Sequence, residues 1–447
     1  MLWRLYIYIK RFYYMVYVLW YTSVMKNGLV LGGGGAKGCY EVGSLQAFEE
    51  CNIKFDCVAG TSIGAIIGAI YTQQTIDEVV DFVYAISPGQ IVKDFFEFPD
   101  NFNDVLENKE QIKTFLEHFI KEKSNDISPL VHSFEKMFDY DRFIHSNIEY
   151  ACMTYNVSKM QAQPFYKKDI SREQAVSIIM ASASCFPAFP MMDIDGQKYI
   201  DGGYADNVPI SLIKEMNADK IIVIDVHGPG RNNTINQNKI SLYIEPILPL
   251  TNFLDFRTEQ GIRSLRLGYL ETMKYLNEFS GYVYTFNRGS WPDIYRFEQY
   301  AKMVFKNHGI LFEDDFFYKA ISSVLGYRPK KLINSYFEMY QFGMLLEALA
   351  LCSGTDAVNL YDWKDFIKEV LQRLRTIQPI QRPISFMDAI KILKNAHKED
   401  IVVYFYGLLK GNGYRLPITY EPLKSIFDVS YAMASLWCLL DQYVRMV

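Results

Sequence analysis

Residues 55–71 read FDCVAGTSIGAIIGAIY. The run from Phe55 to Ala59 is short and mostly apolar and stops at Gly60; from Ile63 to Tyr71 the apolar side chains recur at helical spacing. The pattern predicts a buried strand that turns abruptly into a helix. The turn itself is Gly60-Thr61-Ser62-Ile63-Gly64, a G-x-S-x-G sequence. Its flanking glycines relieve crowding where the chain bends, and the bend exposes the Ser62 hydroxyl. The helix N-terminus beneath that hydroxyl favours developing negative charge.

Upstream, Gly28-Leu29-Val30-Leu31 predicts another short strand, followed by Gly32-Gly33-Gly34-Gly35-Ala36-Lys37-Gly38 and a helix marked by Val42, Leu45 and Phe48. Successive main-chain N–H groups in such a loop form an anion site. Two anions fit it. Gly33-x-Gly35-x-x-Gly38, with Asp56 about 20 residues on, matches the dinucleotide fingerprint. The same N–H groups, chiefly those of Gly33, Gly34 and Gly35, could equally hold the oxyanion of an acyl transfer. A phosphate-binding P-loop is excluded, because Lys37 is followed by Gly38 rather than Ser or Thr.

Downstream, Lys220–Val226 reads as a buried parallel strand, and Gly281–Phe286 as the last strand of the same sheet. Strands alternating with helices give the α/β class, a mainly parallel sheet covered on both faces. Between Met191 and Ile200 two short runs flank Asp195-Gly196, a favoured hairpin turn, which would deliver Asp201 of Asp201-Gly202-Gly203. A serine nucleophile needs a base within hydrogen-bond reach, and Asp201 is the candidate.

A glycine-rich loop, G-x-S-x-G, then D-G-G far downstream resembles the patatin-like phospholipase family. The block Ala181-Ser182-Ala183-Ser184-Cys185-Phe186-Pro187-Ala188-Phe189-Pro190 and the run through Asn207-Val208-Pro209 add to the likeness, which covers roughly residues 27–230. Lys37 stands where many members carry Arg. The resemblance implies a three-layer α/β/α sandwich and a lipid acyl hydrolase that uses a Ser62–Asp201 dyad through an acyl-enzyme. Gly33 to Gly35 would form the oxyanion hole, with motif support from Gly32, Lys37, Gly38, Gly60, Gly64, Gly202 and Gly203. It implies a lipid or acyl-ester substrate, transient contact with a membrane surface, and no cofactor. Of the six histidines, His227 is the one rival base: it ends the strand Ile221–Val226, and the order Ser62, Asp201, His227 is that of a triad. Two other classes stay open, a nucleotide-binding α/β protein and a catalytically silent lipid-binding scaffold.

The chain has 447 residues, half of them hydrophobic, with net charge -5, so it is globular and lacks the basic stripe nucleic acid requires. Seven scattered cysteines without a C-x-x-C pair fit reduced thiols in the cytoplasm and no metal site. Three segments are expected: an apolar aromatic extension over 1–24, a catalytic domain over 25–290, and a helical C-terminal domain over 291–447. Arg4, Lys10 and Arg11 precede the apolar run Phe12–Val24, which is shorter than a membrane span. A start at Met25, an interfacial anchor and an uncleaved signal anchor all fit it. Ser87–Phe138 reads as an insertion or cap, and Asp94–Phe102 as a possible membrane contact. The sequence leaves the oligomeric state open.

Overall fold

The computed structural model describes residues 25–73, 76–85, 127–186, 188–233, 240–313, 315–330, 339–378 and 386–444. The extension over 1–24, most of the expected insertion over 87–138, the stretch 94–102 and Pro187 lie outside the described residues. The chain divides into two compact units, one ending at Thr272 and one beginning at Met273.

The first unit is built on an eight-stranded sheet. Its strands are β1 (Asn27–Leu31), β2 (Cys57–Thr61), β3 (Glu149–Asn156), β4 (Gln161–Tyr166), β5 (Met192–Ile194), β6 (Gln197–Asp201), β7 (Lys220–Ile224) and β8 (Ile240–Ile244). The order is β5-β6-β3-β2-β1-β7-β8, with β4 also paired to β3. The run β3-β2-β1-β7-β8 is parallel; β4, β5 and β6 join antiparallel. Parallel strands covered on both faces carry apolar side chains at every position, and β1 and β2 are buried throughout.

The strand pleat assigns each helix its face. Val30, Cys57, Ala59, Ala151, Ile221 and Val223 pack with Ile210, Leu212 and Ile213 of the helix Ile210–Glu215. The alternate residues Leu31, Val58 and Tyr150 meet the helix Ile63–Gln73 at Gly68. Helices therefore cover both faces, giving three layers.

The second unit is helical, with Trp291–Asn307, Phe316–Leu325, Phe342–Cys352, Trp363–Leu374, Phe386–Lys394, Lys398–Gly411 and Asp428–Tyr443 as its longer helices. One sequence expectation fails here. Gly281–Phe286 is not the last strand of the large sheet; only Thr285–Phe286 is extended, and it pairs with Leu360–Tyr361. The run is apolar because Phe286 packs edge-on against Trp363 and Phe366. The main-chain N–H groups of Tyr282, Val283 and Tyr284 are satisfied by the buried Glu347 carboxylate rather than by a strand.

Candidate active site

Strand β3 brings the serine and the aspartate together. Along one edge of β3, β2 runs up to the pair Thr61–Met153. The next β3 residue, Thr154, pairs instead with Asp201 at the end of β6, which arrives from the opposite direction. The other edge of this stretch is occupied by β4. The C-terminal ends of β2 and β6 thus meet head to head, and Ser62 follows directly on Thr61.

Ser62 holds φ at 58°, in the left-handed region that a residue with a Cβ seldom enters. The neighbouring glycines are required by space. A Cβ added at Gly60 would lie 2.2 Å from the Gly64 carbonyl oxygen, and one at Gly64 would lie 2.5 Å from that of Leu31. The Ser62 N–H donates to Ser182 Oγ at 3.0 Å, and that hydroxyl donates to Met153 O at 2.6 Å. In the sequence Ser182 is one residue of the Ala181–Pro190 block; only the fold brings its hydroxyl to the Ser62 N–H.

Asp201 is buried, and its Oδ1 accepts the Gly203 N–H at 2.7 Å. Burial pushes its carboxyl up to about 6, against the Gly203 N–H and a hydrogen bond from the Ser62 side chain, which both pull it down. At neutral pH it is ionised, with a basicity well above an ordinary aspartate. Gly202 is pressed against β3: a Cβ there would lie 2.2 Å from Met153 O.

The glycine loop needs one correction. Gly33 was expected among the oxyanion donors, but its N–H donates to Asn207 O at 2.9 Å, and the Gly32 N–H to Ile224 O at 3.1 Å. An N–H turned into the protein offers nothing to an oxyanion. Among the described residues the N–H groups of Gly34 and Gly35 donate to no protein acceptor, and both glycines line the same cavity as Ser62 and Asp201. Gly35 has φ +54°, and a Cβ there would lie 2.1 Å from Phe253 O, the carbonyl that accepts the Ala36 N–H. Gly33 still abuts the nucleophile, since its Cβ would lie 3.2 Å from Ser62 Cβ. Lys37 turns aside to donate to His227 O at 2.8 Å, and burial lowers its pKa.

Two cavities meet at Ser62. One, of about 70 Å³, is apolar and is lined by Ile63, Ile66, Ile67, Leu130, Phe189 and Phe256. The other, of about 290 Å³, holds Asp201, Tyr204, Asn207 and Arg231.

The rival assignments lose their geometry. Asp56 precedes β2, and its carboxylate accepts the N–H of Asn27, the first residue of β1, at 2.7 Å. The glycine loop follows the last residue of β1, so Asp56 is at the wrong end of the sheet to meet a ribose bound there. The His227 ring faces Glu245 at 3.3 Å and Asp225 at 3.7 Å and lines neither cavity. The ligand atoms of Asp225, His227 and Glu245 lie within 4.8 Å of one another, a group that could hold a cation. They come from adjoining strand ends, so no ligand spacing announced them.

A family model described as patatin-like phospholipase matches residues 29–213. The chain is similar to lysophospholipase nte1 of Neurospora crassa, 32% identical over 207 residues, 46% of this chain and 12% of that protein. It is also similar to lysophospholipase NTE1 of Chaetomium globosum, 30% identical over 211 residues, again 46% and 12%. The chain thus spans about an eighth of the length of these relatives. Among solved structures, VipD from Legionella pneumophila aligns with 94% of this chain and 91% of its own, at 14% identity and a TM-score of 0.37.

Proposed function

Since residues 29–213 belong to the patatin-like phospholipase family, we propose that the first unit hydrolyses fatty acyl esters of lipids, with Ser62 as nucleophile and Asp201 as base. The observation that carries this reading is the Ser62 side chain, half-buried on a strand–turn–helix elbow and sharing one cavity with a buried carboxylate of raised pKa. Asp201 takes the hydroxyl proton as Ser62 Oγ attacks the ester carbonyl. The N–H groups of Gly34 and Gly35 receive the oxyanion. Collapse expels the alcohol, which takes the proton from Asp201. Water, deprotonated by the same carboxylate, then attacks the acyl-enzyme; the Ser62 Oγ–acyl bond breaks, Oγ takes the proton back from Asp201, and the fatty acid leaves.

The apolar cavity suits the acyl chain, and the polar cavity suits the alcohol portion. The curated relatives named above are lysophospholipases, which supports a single-chain lipid ester as substrate. Such a substrate is met at a lipid surface. Among the described residues no single helix is long and apolar enough to cross a membrane. Among the described residues no disulfide joins any of the seven cysteines, which supports a reducing compartment.

Labelling with a fluorophosphonate probe tests the nucleophile. Mass spectrometry is expected to find the adduct on the peptide containing Ser62, and none in Ser62→Ala. An adduct elsewhere, with Ser62 unmodified, would refute the assignment.

A further inference from the structure

We propose that Arg231 forms a subsite for the phosphate of a phosphorylated lipid alcohol, making it a specificity-determining residue of the site; this rests on the hydrolase reading above. The two cavities at Ser62 each contain an arginine, and the two arginines differ in their charge balance. In the apolar cavity, Arg257 is held by Asp255, Nε to Oδ1 at 2.9 Å and Nη2 to Oδ2 at 2.7 Å. A fork-to-fork pair cancels its charge where an acyl chain would pass. In the polar cavity, Arg231 is exposed, and among the described residues no carboxylate pairs with its guanidinium.

The main chain fixes where Arg231 stands. Its N–H donates to Gly203 O at 2.8 Å, and its carbonyl accepts the Asn207 N–H at 2.6 Å. Gly203 is the residue whose own N–H holds the Asp201 carboxylate. Arg231 is therefore tied, through one residue, to the base of the proposed reaction. Asn207 Nδ2 also bonds Gly33 O at 3.1 Å and Gly228 O at 3.3 Å, joining the Arg231 loop to the glycine loop. Ser62 and Arg231 line the same cavity, and among the described residues the Arg231 guanidinium has no carboxylate partner. An ester whose alcohol carries a phosphodiester would place its acyl carbonyl at Ser62 and its phosphate at Arg231, where planar, bidentate recognition of phosphate is available. A glyceride lacking phosphate has nothing to offer this group.

The test uses the full chain and two substrates with the same oleoyl group, a lysophosphatidylcholine and a monoacylglycerol. Fatty-acid release is measured for wild type, Arg231→Gln and Arg231→Lys. The ratio of kcat/KM for the phosphate-bearing over the phosphate-free ester is expected to fall about tenfold or more in Arg231→Gln, chiefly through KM, and to recover in part in Arg231→Lys. An unchanged ratio in Arg231→Gln overturns the assignment while leaving the hydrolase reading intact. Inhibition of wild type by millimolar inorganic phosphate with no preference between the two esters makes Arg231 a free-anion site and also overturns it. If folded wild type releases fatty acid from neither ester, the hydrolase reading fails and this inference with it.

Discussion

The main-chain N–H of Ser62 points at the hydroxyl of Ser182, 3.0 Å away, and that hydroxyl is itself anchored on Met153 O. A non-glycine residue at φ 58° is strained by roughly 1–3 kcal/mol. The Ser182 bridge offsets that strain and fixes the elbow to β3. In Ser182→Ala the half-buried Ser62 N–H loses its acceptor. Thermal unfolding should show a loss of about 1–2 kcal/mol, and kcat should fall about tenfold with little change in KM.

The raised pKa of Asp201 sets two pH dependences. The base must be ionised, so kcat/KM for an uncharged ester should fall on acidification with a midpoint near pH 6. The linkage runs the other way for stability. Because the folded-state pKa lies above the ordinary aspartate value, the native state binds more protons between pH 4 and 6, and stability declines as pH rises through that interval. Asp201→Asn removes the buried charge, so its melting temperature should exceed that of wild type at pH 8 and approach it near pH 4.

Gly35→Ala meets two obstacles. The backbone is left-handed there, and the added Cβ would lie 2.1 Å from Phe253 O. A carbonyl cannot yield as a flexible side chain does. Activity should fall at least 10²-fold, the order of loss for a missing oxyanion donor, with a stability loss on the order of 1–3 kcal/mol. Chemical denaturation and ester kinetics on the same preparation check both.

Asn207→Ala leaves its main-chain bonds to Gly33 and Arg231 in place but removes the amide bridging Gly33 O and Gly228 O. The buried Gly33 carbonyl and the half-buried Gly228 carbonyl lose a donor, at a cost of about 1–3 kcal/mol. As a positioning residue it should lower kcat more than it raises KM.

The reach of the sequence follows the range of the interactions. The elbow around Ser62 and the hairpin into Asp201 are local patterns of a few residues, and they read as strand, turn and helix before any fold was known. The meeting of Thr61 and Asp201 on consecutive residues of β3 is not local, because it depends on one strand edge changing partners. The direction of the Gly33 N–H has the same character: glycine permits many orientations, and only Asn207 O, 174 positions away, selects one. Asp56 satisfied a spacing rule yet fell at the wrong end of its strand, since spacing counts residues and not direction. Gly281–Phe286 misled because burial against Trp363 and Phe366 produces the same apolar run as a sheet does. Arg231 sits in a polar stretch with no pattern, and its neighbours on Gly203 and Asn207 appear only once the loops are folded together.

Hydrolysis of a p-nitrophenyl acyl ester by the wild type, Ser62→Ala, Asp201→Ala and His227→Ala tests the central claim most directly. The account predicts p-nitrophenol release by wild type and His227→Ala, and background rates for Ser62→Ala and Asp201→Ala, with all four proteins folded. Full activity in Asp201→Ala, or loss of activity in His227→Ala alone, would contradict the Ser62–Asp201 dyad.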